Sequence, residues 1–169
     1  MADKGFTDPT DQSFWRPLTR LQRSMEADIA QIYAEARIEG LKPSWVMELI
    51  RLHTRGPMTI TELAESVQRT HSAISQKVAA MRAAGLVRTT AGPDGRSKQV
   101  VLTAKTRRIV GLLAAEWRAT EAAAAEIEAE LDYPLTRFVA GMEAALAETS
   151  FHDRILRHLK QDPDWRPVS

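Results

Sequence analysis

The chain contains no cysteine, which excludes disulfide bonds, thiolate metal ligands and any switch that works by oxidising a thiol. Long apolar runs are absent too: none approaches the ~20 residues that a membrane-spanning helix needs. The N-terminal segment carries Asp3, Lys4, Asp8 and Asp11 where a signal peptide would have an apolar core, so a cytoplasmic protein without a membrane partner is expected. Histidine is sparse. His53, His71, His152 and His158 are scattered, and the last two do not share a helix face as an i, i+4 metal-binding pair would, so no metal and no other cofactor is expected. There is no glycine-rich phosphate loop, no nucleophile elbow and no His–acid pair at a recognisable spacing from which an enzyme could be built.

Net charge is nearly absent as well, at +1, but the total hides an asymmetry. Between Thr59 and Arg108 the basic residues Arg69, Lys77, Arg82, Arg88, Arg96, Lys98, Lys105, Arg107 and Arg108 face only the acids Glu62, Glu65 and Asp94. From Glu116 to Glu148 the balance reverses, with eight acids against Arg118 and Arg137. A basic segment of this density fits a polyanion. The 169 residues, 44% of them hydrophobic, are read as a single domain over 1–169 with a real core.

What the basic segment does contain is a sequence of start and stop signals. Thr59 followed three residues later by Glu62 is a capping box that opens a helix at Ile60, with Leu63, Ala64 and Val67 as its apolar stripe. The stripe fails at Gln68-Arg69, a turn. Thr70 then caps a second helix whose apolar positions are Ala73, Ile74, Val78 and Met81, leaving His71, Ser72, Ser75, Gln76 and Lys77 largely outside. Gly85 closes it, and Leu86 to Thr90 and Gln99 to Leu102 read as two strands. Between the strands, Ala91 to Lys98 is a polar, turn-rich loop. The expected fold is mostly α with a small β-hairpin wing, a winged helix-turn-helix over 43–103. At the wing tip a planar, permanently charged Arg96 suits the narrow minor groove of DNA, braced by Asp94.

Thr-Ile-Thr-Glu-Leu-Ala from Thr59, Thr-His-Ser-Ala-Ile-Ser-Gln from Thr70, Ala-Gly-Leu-Val-Arg from Ala84, and Asp-Gly-Arg-Ser from Asp94 with Val-Val-Leu-Thr from Val100 together resemble the MarR family of transcriptional regulators in order and spacing. The resemblance implies a homodimer on pseudo-palindromic operators in double-stranded DNA, acting as a repressor released by a small-molecule effector. With the second helix in the major groove, Ser72, Ser75 and Gln76 are expected at base edges, with His71 close by. Lys77, Arg69, Lys98 and Arg88 are expected on phosphates. The family commonly carries arginine where this chain has Gln76, so a guanine-reading fork gives way to a side chain suited to adenine. The resemblance also implies an effector cavity between the dimerisation helices and the winged part. Trp45, Leu49, His53 and Trp117 are its expected lining, with Met25 and Met47, and Arg51 and Arg118 would suit an aromatic carboxylate.

The flanks read as long dimerisation helices, over 11–39 and 104–160. The first carries Phe14, Leu18, Leu21, Met25, Ile29, Ile32 and Ala36 at helical spacing. In the second, Asp132-Tyr133-Pro134 breaks the helix and Ser150 with Asp153 restarts it. Phe14, Trp15 and Phe151 are candidate interface anchors. The competing reading is a winged-helix dimerisation or protein-interaction module that never touches DNA; the basic bias and Arg96 weigh against it.

Overall fold

A computed structural model describes residues 8–92 and 97–166. In chain order they form α1 (Arg16–Glu35), α2 (Val46–Arg55), α3 (Ile60–Ser66), α4 (His71–Ala83), β1 (Val87–Ala91), β2 (Lys98–Leu102), α5 (Ala104–Glu130), α6 (Leu135–Glu148) and α7 (Phe151–Leu159). Asp94 and Arg96, expected at the wing tip, lie outside the described residues.

Local chemistry sets these boundaries. Thr59 accepts from the Glu62 amide while the Glu62 carboxylate accepts from the Thr59 amide at 2.7 Å, a complete capping box. The Thr59 amide, and after it the Thr59 hydroxyl donating at 2.9 Å, hold the Glu62 carboxyl below its ordinary range. Thr70 caps α4 through the Ala73 amide, and Gly85, at φ +72°, lets the Leu86 amide return to the Met81 carbonyl and close the helix. The turn between α3 and α4 is made by Gln68 at φ +52°, with the Arg69 amide on the Ala64 carbonyl. The first helix is shorter than the expected 11–39. Pro9–Asp11 is a separate 3-10 turn capped by Asp8, and at the other end Arg37 enters the left-handed region at φ +55°, with the Ile38 amide on the Tyr33 carbonyl.

The strands pair antiparallel, Val87 with Leu102 through Ala91 with Lys98, and Met58 adds a bridge on Val100. The core lies between α2, α3, α4, the hairpin and the first half of α5: Leu49, Leu63, Ile74, Met81, Leu86 and Leu113 are fully buried. Thr106 is buried with them because its hydroxyl donates to the Leu86 carbonyl at 2.6 Å. From α1 only Tyr33 is buried, and its hydroxyl donates to Glu116 of α5 at 2.6 Å. Ala73, read as inward from its spacing, is exposed: it stands about 100° around α4 from Ile74, beyond the edge of the buried stripe.

The chain divides into two compact units, the first ending at Trp117 and the second beginning at Arg118, so the break falls inside α5. In the second unit α6 and α7 follow the expected break at Pro134 and restart at Ser150, whose hydroxyl accepts from the Asp153 amide. Arg154 ties them by donating to the Thr149 and Ala145 carbonyls. Neither helix has a buried residue, and Phe138, Val139, Leu146, Phe151 and Ile155 are exposed. No helix among the described residues is long and apolar enough to cross a membrane.

Candidate nucleic-acid interface

Helix α4 divides into two faces. Ile74, Val78 and Met81 are buried against the core, while His71, Ser72 and Gln76 are exposed and Ser75 is half-buried at the margin. Beside that margin runs a cleft of about 500 Å³ between α4 and the hairpin. Ser75 and Arg82 line it from the helix, Thr89 and Lys98 from the strands, and Ile60 and Val78 form part of its apolar floor. One cation on the helix and one on the hairpin thus border an open groove beside a polar helix edge, an arrangement suited to a phosphate backbone held beside base-reading side chains. Arg82 was not among the residues expected here. Its signal was a spacing of seven from Ser75, two turns along one helix face.

The other expected contacts are dispersed. Arg88 points away from that cleft: it is opposite Val101, whereas Thr89, one residue on and on the other face, is opposite Val100. With His53 and Arg107 it borders a separate hollow of about 350 Å³. Lys77 turns inward instead. Its ammonium donates to the Ser44 carbonyl and to Glu48 Oε1, both at 2.7 Å, and Glu48 is 1% exposed. Arg69 borders a third hollow, of about 220 Å³, with Glu26, Met47, Glu48, Lys77 and Trp117.

Among the described residues, the four expected around one effector cavity lie in different places. Trp45, at the end of the 3-10 turn Pro43–Trp45, is a core residue, and so is Leu49, because the buried face of α2 is the one that meets α3 and the hairpin. His53 lies at the hollow beside Arg88, and Trp117 at the one beside Arg69.

A helix-turn-helix followed by a hairpin defines a winged-helix architecture, and comparison with known proteins narrows it. A family model described as HVO_A0114 matches residues 46–109. No curated protein matches the chain. Among solved structures, MepR of Staphylococcus aureus in complex with DNA is similar with a TM-score of 0.57 and 16% identity, over 81% of this chain and 98% of that one. The Mycobacterium tuberculosis regulator MOSR, also in complex with DNA, gives 0.56 and 23% over 80% and 99%. A MarR protein of Peptoclostridium difficile gives 0.54 and 13% over 91% and 96%. The chain has the fold of the MarR-like winged-helix regulators.

Proposed function

We propose that the protein is a MarR-type, sequence-specific DNA-binding transcriptional regulator and has no enzymatic activity. The observation that carries this is the polar edge of α4, Ser72, Ser75 and Gln76, standing beside a cleft bordered by Arg82 and Lys98. Arg96 and Asp94 lie outside the described residues; on the sequence alone an arginine there suits the minor groove, with Asp94 as its brace. MepR and MOSR, which share the fold, were solved on DNA. The non-DNA reading, a dimerisation or protein-interaction module, finds no support in a surface where a basic segment surrounds a polar helix edge.

The active form is a homodimer. Phe14 just before α1, Leu21 and Ile32 on it, and Phe138, Val139, Phe151 and Ile155 on α6 and α7, are exposed apolar groups that a second copy would cover. Two copies of α4 then meet successive major grooves of a pseudo-palindromic operator. Repression by occupying a promoter in the cytoplasm, relieved by a small-molecule effector, completes the reading.

The test is a titration of purified protein against the DNA flanking its own gene, at two salt concentrations, with unrelated DNA as competitor. Binding that resists competitor and carries two chains per site supports the regulator. Binding no tighter than to competitor, for that DNA and for a pool of random sequences, removes it.

A further inference from the structure

Helix α4 rests on α3 and β1 through Ile74, Val78 and Met81. Aliphatic packing is non-directional, so by itself it holds a helix down more firmly than it fixes rotation about the axis. A hydrogen-bonded ion pair is directional. Lys77 lies on the flank of α4 beside Ile74 and Met81, away from the edge that carries Ser72 and Gln76. From there it reaches the residues that begin α2: the Ser44 carbonyl and the Glu48 carboxylate. Glu48 is buried and its Oε2 has no hydrogen-bond partner among the described residues, so Lys77 is the cation that compensates it. Apolar residues at both positions together would suit such a place at little cost in stability. What the pair adds is a fixed angle.

We infer that Lys77 is a positioning residue for base readout. Through Glu48 and the Ser44 carbonyl it sets the roll of α4, and with it the edge that Ser72, Ser75 and Gln76 present to DNA, and it neutralises no phosphate. The inference rests on the DNA-binding reading above. A roll of about 10° moves a side-chain tip ~6 Å from the helix axis by about 1 Å. That displacement carries a base contact out of the roughly 2.7–3.2 Å hydrogen-bonding range. Loss of the strut therefore reduces discrimination between sequences and spares affinity for DNA in general.

The experiment uses the full chain and the site that the wild type selects from a pool of random duplexes, together with single-base variants of that site. Lys77→Met alone strands a buried carboxylate and lowers the melting temperature; Lys77→Met with Glu48→Met removes both charges and restores it. The double variant is expected to keep the wild-type salt slope and the wild-type affinity for unrelated DNA. Its preference for the selected site over the single-base variants should fall about 10-fold, within the range a good base contact supplies. Lys77→Arg, which keeps donors for Glu48, should retain the preference. A salt slope lower by about 1 in the double variant would mark a lost phosphate contact and overturn the inference, as would an unchanged preference. A wild type that selects no site at all removes the DNA-binding reading itself, a result distinct from a wild type that selects and a double variant that matches it.

Discussion

Tyr33→Phe removes one hydroxyl from the only buried residue of α1 and tests whether its bond to Glu116 holds α1 against α5. The ring stays, so packing is unchanged. A hydrogen bond to a charged group contributes about 1.5–3 kcal/mol, and since Glu116 is half-buried and recovers water, the loss should sit near the lower bound. For a chain of this size, 1.5 kcal/mol corresponds to a fall of roughly 3–6 °C in melting temperature. The pH dependence gives a second signature. Burial, then the hydrogen bond to Glu116 and its negative charge, push the Tyr33 phenol well above its ordinary value of 10.0. A group whose pKa is raised by folding contributes stability below its unfolded value, and that contribution is lost as pH rises beyond it. The wild type should therefore lose its advantage over Tyr33→Phe progressively above pH ~10, by about 1 kcal/mol per unit after allowance for screening. Urea unfolding of both proteins at one fixed concentration, at neutral and alkaline pH, measures this. Equal stability at neutral pH, or a gap that widens with alkalinity, refutes the reasoning.

Three further outcomes are expected. Leu113→Ala empties a fully buried position of α5 and should cost about 2–5 kcal/mol in urea unfolding. Glu62 should titrate below the ordinary carboxylate range in the wild type and move only part of the way back in Thr59→Ala, which removes the hydroxyl's bond and keeps the backbone amide's, as followed by NMR; its pKa is lowered by folding, so the stability it adds is present above that range and lost as pH falls. Arg82→Ala should lower the slope of log affinity against log salt by about 1 and leave base preference intact, which a competition titration across salt concentrations would read.

Signals that act within a few residues were legible in the sequence. The Thr59–Glu62 box, the Thr70 cap, the left-handed Gly85 and the break before Leu135 are local backbone chemistry, and each stands where its residues put it. Directions set by distant partners were not. Lys77 reads as one more exposed cation on a polar helix face, and nothing near it announces Glu48, 29 residues earlier. The same holds for Arg88, whose side of the hairpin follows from pairing register rather than from its neighbours. Trp45, just before α2, and His53 on it read alike as cavity-wall residues, yet one turns into the core and the other stays at the surface, a choice made by the elements packed around them. Arg37 closes α1 in a conformation that glycine usually supplies, so its stop signal carried no sequence mark.

The bareness of α6 and α7 bears on how a cell would use this protein. Helices with no fully buried residue of their own would, in the proposed homodimer, draw stability from mass action, so their order would depend on how many copies are present. Dilution would then act as an off switch, and a gene whose product falls below its association threshold would lose the regulator abruptly rather than in proportion. Expression level would then be a second input, read by the surface proposed to join the two copies.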